Sequence, residues 1–308
     1  MCSSDLFTAT QGATALLTGT YSLGATPRNT IVAVSTDVPW ASITGGGLTP
    51  FGGSVTVNPS GLAAGTYTGN AVFTASDALN SPYSLPITLT ITAPGGGVLG
   101  TFSNGASFGQ GNISPNEIVS FFAADLTCPS GSPSVTINGV SAQVLGAAKS
   151  QINFTVPQSA GVSGAALIQV SCGTTVIASA SATFAPQAPA IFTSGQSGAG
   201  QGAILNQDGA FNGSKPAARG SIVSVYVTGF GALNAPGSDG LRRLAGTVTA
   251  TVGGIPATVV YSGEAPGFTT GLQQINVQIP ANVPAGSLPI VLTINGVSTQ
   301  VGVTLAIQ

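Results

Sequence analysis

The sequence predicts an all-β protein, built as three tandem immunoglobulin-like β-sandwich modules. Three observations lead there: apolar and small polar residues alternate along the chain, Asn-Gly pairs stand between such runs, and one set of strand blocks occurs twice. Alternation has period two, that of a half-buried strand. Ile87, Leu89 and Ile91 alternate with Thr88 and Thr90, and Ile152, Phe154 and Val156 with Asn153 and Thr155. Ile275, Val277 and Ile279 alternate with Asn276 and Gln278, and Val301, Val303 and Leu305 with Gly302 and Thr304. No comparable window has helical spacing. Asn138-Gly139 and Asn295-Gly296 fall where a two-residue hairpin turn needs positive φ, which these residues accept at least cost.

The repeat organises the chain. Glu117-Ile118-Val119-Ser120 matches Ser221-Ile222-Val223-Ser224, and Asn138-Gly139-Val140 matches Gly253-Gly254-Ile255. Gln151-Ile152-Asn153-Phe154-Thr155-Val156-Pro157 then matches Gln274-Ile275-Asn276-Val277-Gln278-Ile279-Pro280. The offsets are 104, 115 and 123, so the second copy carries 11 extra residues before the hairpin and 8 after it. Insertions of that kind belong in surface loops. The expected modules are 1–93, a linker at 94–97, 98–186 as the first copy and 187–308 as the second. The last opens with a Gly-rich stretch, 194–213, expected to form a hairpin around Asn206-Gln207-Asp208-Gly209.

Composition narrows the function. Only 5% of residues are charged, where about a quarter is usual, so Ser, Thr, Asn and Gln must keep the surface wet. Such a balance, with 44 Gly and 20 Pro for turns, suits a secreted β-protein. Six Lys plus Arg and a net charge of -2 leave no footprint for nucleic acid or an anionic membrane. No membrane span is expected, because the uncharged stretch 165–185 is diluted by Ser, Thr, Gln and Gly. Met1-Cys2-Ser3-Ser4-Asp5-Leu6 lacks the basic start and apolar run of a signal peptide, so the chain is expected to continue into upstream domains. Cys2 is given no functional weight, a lipid-anchored N-terminus being the alternative. Cys128 and Cys172 fall in one module and read either as a disulfide or as two independent small thiols.

Catalytic chemistry is hard to assemble from these residues. With no His, the Ser-His-Asp and Cys-His arrangements are excluded, as are His-ligated metals. Gly195-Gln196-Ser197-Gly198-Ala199 fails the nucleophile-elbow pattern at its last position. The eight acids are scattered, which speaks against the paired carboxylates of a glycosidase. Asn206, Asp208 and Asn212 could offer oxygens to calcium, but they read better as turn residues, and neither metal nor cofactor is expected. Trp40, the sole tryptophan, is the candidate glycan contact, with core packing as the competing reading. Tyr67 reads as a corner residue whose ring packs and whose hydroxyl caps backbone.

The insertions hold the candidate binding loops. The first, near 233–245, contains Asp239, Arg242 and Arg243, and the second, near 262–272, contains Glu264 and Phe268 beside Tyr261. Four of the fourteen charges fall there, either marking a binding edge or pairing to pin long loops.

Ser114-Pro115-Asn116-Glu117-Ile118-Val119-Ser120, Gly200-Gln201-Gly202-Ala203-Ile204-Leu205-Asn206, Tyr226-Val227-Thr228-Gly229-Phe230-Gly231 and Ala265-Pro266-Gly267-Phe268 together resemble an uncharacterised C-terminal domain family of large secreted acidobacterial proteins, similar to the IPT/TIG fold. That resemblance covers about 97–308 and implies a sandwich fold and a secreted setting, with no known activity. Pro39-Trp40-Ala41-Ser42-Ile43 and the stretch Asn58-Pro59-Ser60-Gly61-Leu62-Ala63-Ala64-Gly65-Thr66-Tyr67-Thr68-Gly69 resemble the BACON module, which implies either a glycan-binding role or a spacer. By this resemblance, module one lacks its first strand or has it obscured by the N-terminal residues. The chain is therefore expected to be a non-catalytic structural or adhesive segment of a secreted or cell-surface protein. Its partner would be an extracellular protein or a glycan. A carbohydrate-binding accessory role is the alternative.

Overall fold

A computed structural model describes residues 5–11, 13–24, 29–62, 65–92, 96–129 and 131–308. Cys2, Ala63-Ala64 and, at the expected linker, Pro94-Gly95 lie outside them. The described residues form strands and turns with no α-helix, one turn of 3-10 helix at Gln158–Ala160 apart. The chain divides into two compact units, Met1–Leu99 and Gly100–Gln308. The second holds both repeated modules, each with a hydrophobic core of its own.

In the first unit, a sheet ordered Asp5–Thr10, Tyr83–Thr92, Gly65–Thr74, Ile31–Thr36, Gly47–Leu48 faces a sheet of Leu17–Leu23, Phe51–Val57 and Ala41–Thr44. The alternating Ile87, Leu89 and Ile91 turn inward with Val55, Val57 and Phe73. Asp5–Thr10 runs parallel to Tyr83–Thr92, which supplies module one with a first strand. Tyr21 anchors the second sheet, its ring edge-on to Phe73 and its hydroxyl donating to Thr44 O at 2.7 Å.

The repeated modules share one strand path. In the first it runs Thr101–Asn104, Ile118–Phe122, Gln151–Thr155, Val140–Ala147, Ser134–Ile137, Gly164–Cys172, Thr175–Phe184. The uncharged stretch 165–185 is thus a hairpin, and no helix among the described residues is long and apolar enough to cross a membrane. In the second copy Ile222–Thr228, Gln273–Gln278, Ile255–Glu264, Val248–Val252, Gly286–Ile294 and Val303–Ile307 take the matching places. A bulge bends the long strand of each copy, between Val144 and Gly146 and between Val259 and Tyr261, so that it pairs on both sides of the sandwich.

Local chemistry explains the repeated motifs. Asn138-Gly139 (φ 49° and 80°), Gly253-Gly254 (59° and 79°) and Asn295-Gly296 (47° and 85°) all make turns with two positive φ values. Gln151 Nε2 donates to Asn153 Oδ1 and Gln274 Nε2 to Asn276 Oδ1, each at 2.8 Å, which accounts for the Gln-x-Asn spacing on one strand face. Asn206-Gln207-Asp208-Gly209 closes a turn, with Asn206 N bonded to Ala210 O at 2.8 Å.

Candidate functional site at the seam of the repeated modules

The two copies meet in one polar seam, built by the first copy's 114–118 loop and, in the second copy, by the 228–231 segment together with the insertions. Ser114, Asn116 and Glu117 are buried at the head of strand Ile118–Phe122. Asn116 adopts φ 56°, which turns its side chain toward the other module, where its Nδ2 donates to Gly231 O at 3.2 Å and to Gln158 Oε1 at 2.9 Å. Gln158 continues the line: its Oε1 accepts Leu233 N at 2.9 Å and its Nε2 donates to Leu233 O at 3.2 Å. Ser114 Oγ reaches Gly229 O at 3.1 Å, and Asn104 Nδ2 reaches Ala188 O at 3.0 Å.

Each contact has a reason in the second copy's sequence. In Thr228-Gly229-Phe230-Gly231, Phe230 is buried in its own core while the carbonyls of both glycines face the seam. A Cβ at Gly229 would lie 2.0 Å from Ala188 O, so the close chain crossing requires glycine. Thr228 Oγ1 accepts Ile118 N at 2.7 Å and donates to Gly271 O at 2.8 Å. Thr269 Oγ1, in the second insertion, donates to Gln143 Oε1 at 2.9 Å. A bridge between Leu233 and Leu244 closes the first insertion on itself, and one between Arg243 and Gly263 braces it against the second.

Glu117 is fully buried in this seam. Its Oε2 accepts Ser114 N at 2.7 Å and contacts Ser114 Oγ at 3.2 Å, and its Oε1 accepts Asn104 Nδ2 at 2.9 Å. Burial pushes its pKa up to about 8, against the lowering by the Ser114 and Asn104 hydrogen bonds.

Beside the seam lies an open groove of about 540 Å³, lined by Asn116, Ser141, Gln143, Thr155, Gln158 and Arg242. Arg242 donates Nε to Asn234 O at 3.1 Å and Nη2 to Leu233 O at 3.4 Å. The ion pairs among the described residues are Arg243–Asp239 and Lys215–Asp208, so the Arg242 guanidinium at the groove is held by carbonyl oxygens rather than by an ion pair.

The other candidate residues do not converge there. Arg243 pairs with Asp239 at 2.7 Å and lies over the Tyr261 ring, 5.6 Å from its centre, while its hydrogen bond pulls the Asp239 carboxyl down to about 2. Glu264 Oε1 accepts Arg242 N at 3.1 Å, and Tyr261 donates to Glu264 O at 2.7 Å. These contacts pin the insertions. Phe268 is exposed, its ring edge-on to Tyr226. Trp40 is half-buried against the module-one core, edge-on to Tyr67. Cys128 and Cys172 form a disulfide with Cα atoms 5.5 Å apart. Asn206 and Asn212 bond each other and the backbone, and Asp208 pairs with Lys215. Among the described residues no three His, Cys, Asp or Glu gather to hold a metal. The repeat did carry a signal for the seam that residue type alone did not: Glu117 faces Ser221 in the alignment, an acid with no counterpart in the other copy.

No family model and no curated protein matches the chain. Among solved structures it is similar to the Bacteroides ovatus mixed-linkage glucan utilization locus protein SGBP-B in complex with a mixed-linkage heptasaccharide. That match has TM-score 0.36 and 12% identity, over 100% of this chain and 67% of that one. Sidekick-1 immunoglobulin domains 1–5 match with TM-score 0.24 and 12% identity, over 99% of this chain and 57% of that one. The titin fragment A168169 matches with TM-score 0.25 and 10% identity, over 59% and 95%. At these scores the likenesses carry no argument about role, and the all-β sandwich rests on the strand pairing itself.

Proposed function

We propose that the chain is a non-catalytic segment of a larger secreted or cell-surface protein, whose sandwiches serve as spacers and interaction modules for an extracellular protein or glycan. The observation that carries this reading is the seam: side chains from both repeated modules are devoted to holding them as one body. The disulfide supports an oxidising compartment, and the resemblance to secreted acidobacterial domains supports the same setting. The non-catalytic reading rests on the sequence, which has no His and spreads its eight acids along the chain. Backbone 15N relaxation on the full chain tests the spacer role. The repeated modules are expected to tumble with one diffusion tensor, and separate tensors would refute the rigid spacer. A glycosidase and esterase screen is expected to show no turnover; turnover abolished by one acid substitution would refute the non-catalytic reading.

The groove favours a second reading, a carbohydrate-binding accessory role. Its amide and hydroxyl groups complement sugar hydroxyls, and the Arg242 charge would suit a sugar carboxylate. Pull-down on immobilised neutral and uronic-acid polysaccharides tests it. Binding lost in Gln143→Ala and Arg242→Ala would establish the groove, whereas binding lost in a folded Trp40→Ala would move the site to module one.

A further inference from the structure

The hydrogen atoms in the seam can be counted. Ser114 Oγ lies 3.1 Å from Gly229 O and 3.2 Å from Glu117 Oε2. A serine hydroxyl has one hydrogen, and a carbonyl oxygen can only accept. With that hydrogen given to Gly229 O, Ser114 Oγ faces Glu117 as an acceptor. The second contact is then a hydrogen bond only if Glu117 Oε2 carries a hydrogen of its own. The remaining contacts permit this, since an O–H oxygen still accepts Ser114 N at 2.7 Å and Oε1 accepts Asn104 Nδ2 at 2.9 Å. The Asn104 amide is oriented independently. Its Oδ1 accepts Ala106 N at 2.9 Å and Ser107 N at 3.1 Å, and its Nδ2 also donates to Ala188 O.

We infer that Glu117 enters the seam as the neutral acid and sends one hydrogen-bond chain across it, Glu117 Oε2–H to Ser114 Oγ–H to Gly229 O, so that the joint between the repeated modules is proton-linked. When Glu117 ionises, its proton passes to water and the Ser114 hydroxyl turns back to the carboxylate. Gly229 O then keeps its own module's donor, Ala188 N at 2.8 Å, but loses the one from across the seam, and a buried charge is left between the modules. Asn104 and Ser114 donate to that charge without offsetting its burial, and among the described residues no counter-charge pairs with it. The groups facing Glu117 from its own module are Asn104 and Ser114, those one bond further out are the main chains of Ala188 and Gly229, and no charged side chain from either module contributes to its titration. Its raised pKa agrees with the count. Asn116 and Gln158 bridge the modules and also line the groove, so loosening the joint would reshape the groove as well.

The sequence makes a direct test available, because Glu117 and Glu264 are its only glutamates. Full-length protein labelled with 13C at the glutamate carboxyl gives two signals, and Glu264→Gln assigns them. At pH 6 the Glu117 signal is expected at the position of a neutral carboxylic acid, moving only as pH approaches about 8. In parallel, hydrogen exchange is followed at Ile118 N–H, bonded to Thr228 Oγ1, and at Leu233 N–H, bonded to Gln158 Oε1. Corrected for intrinsic rates, their protection is expected to fall by up to about ten-fold per pH unit between pH 5 and 8 and then level off. Leu89 in module one should stay flat. An ionised Glu117 signal at pH 6 overturns the protonation claim. A neutral Glu117 whose later ionisation leaves Ile118 and Leu233 as protected as before overturns the joint.

Discussion

Substituting Gly271 by alanine should prise the seam open while leaving each sandwich intact. A Cβ there would lie 2.6 Å from Thr155 Oγ1, 2.7 Å from Ile118 Cγ1 and 2.9 Å from Thr155 Cγ2, all side-chain atoms of the other module. The backbone at Gly271 is not in the left-handed region, so the strain is purely steric. Thr155 and Ile118 are β-branched, stiff at χ1 and fixed in paired strands, so the loop carrying Gly271 must retreat. Its retreat pulls on Thr228 Oγ1, which links Gly271 O to Ile118 N. Overpacking of this kind, with the loss of about one hydrogen bond, costs about 2 to 4 kcal/mol. Exchange at Ile118 and Leu233 should then quicken by roughly thirty- to a thousand-fold. The control is Gly146→Ala, where a Cβ meets nothing within 4 Å and a change within about 0.5 kcal/mol is expected. Since the sole tryptophan lies in module one, exchange resolved by NMR is the suitable assay. Equal behaviour of the two variants would refute the claim that Gly271 is a docking contact.

Gln158→Ala strips the bonds to Asn116 Nδ2, Leu233 N and Leu233 O, and should cost about 1 to 3 kcal/mol, with amide shifts concentrated at 229–233; shifts spread through the first copy's strands would contradict this. Reducing the Cys128–Cys172 disulfide, which spans 44 residues, should destabilise its module by up to about 4 kcal/mol, read as a lowered unfolding temperature in calorimetry. Trp40→Ala should cost module one about 3 kcal/mol and leave the transition of 100–308 in place, as calorimetry of the full chain would show. Stability of 100–308 should fall as pH rises. Glu117 titrates near 4.5 when exposed and near 8 when folded, so the folded form holds a proton the unfolded form has released. This contribution is therefore fully present below pH 4.5 and is lost between pH 4.5 and 8, by roughly 5 kcal/mol at most, measurable as a denaturant midpoint that falls over that window, above the range in which the lowered Asp239 carboxyl titrates. A midpoint rising over that window would contradict the assignment.

The fold was legible because its determinants are local. Alternation places Ile87, Leu89 and Ile91 inside whatever strand lies opposite, and Asn-Gly pairs set their own turn geometry. Asp5–Thr10 was obscured because its inward face offers only Phe7 and Ala9 among threonines, and because its parallel pairing depends on a strand some eighty residues away. The seam was less legible for the same physical reason. Whether a buried glutamate is tolerable depends on Asn104, Ser114 and the carbonyls of Ala188 and Gly229, brought together only by the finished fold. Charge drew attention to Arg242, Arg243 and Asp239, whereas the residues that join the modules are mostly neutral amides and hydroxyls. For that reason the expected modules 98–186 and 187–308 keep separate cores and yet form one compact unit.

Comparing the matching loops of the two copies separates what the repeat preserves from what it does not. Asn116 N bonds Val156 O at 3.0 Å and Gly220 N bonds Ile279 O at 2.9 Å, both from residues at positive φ, so the backbone of the loop is the same. The side chains are not. Ser114-Pro115-Asn116-Glu117 presents the Ser114 and Asn116 donors to the neighbouring module, with Glu117 behind them bonded to Ser114 and Asn104, whereas Ala218-Arg219-Gly220-Ser221 turns inward, with Arg219 donating to Val283 O and Gln308 O of its own module. The receiving surface is one-sided in part, because Leu233 and the 269–271 segment belong to insertions the first copy lacks, while Thr228, Gly229 and Gly231 lie at the end of strand Ile222–Thr228. Docking is therefore not a property of the sandwich, which both copies share. It comes from a few side chains in one copy and, in the other, from a strand end and two loops, and a further copy could join the array by this geometry only if it carried such loops and met such a set of side chains.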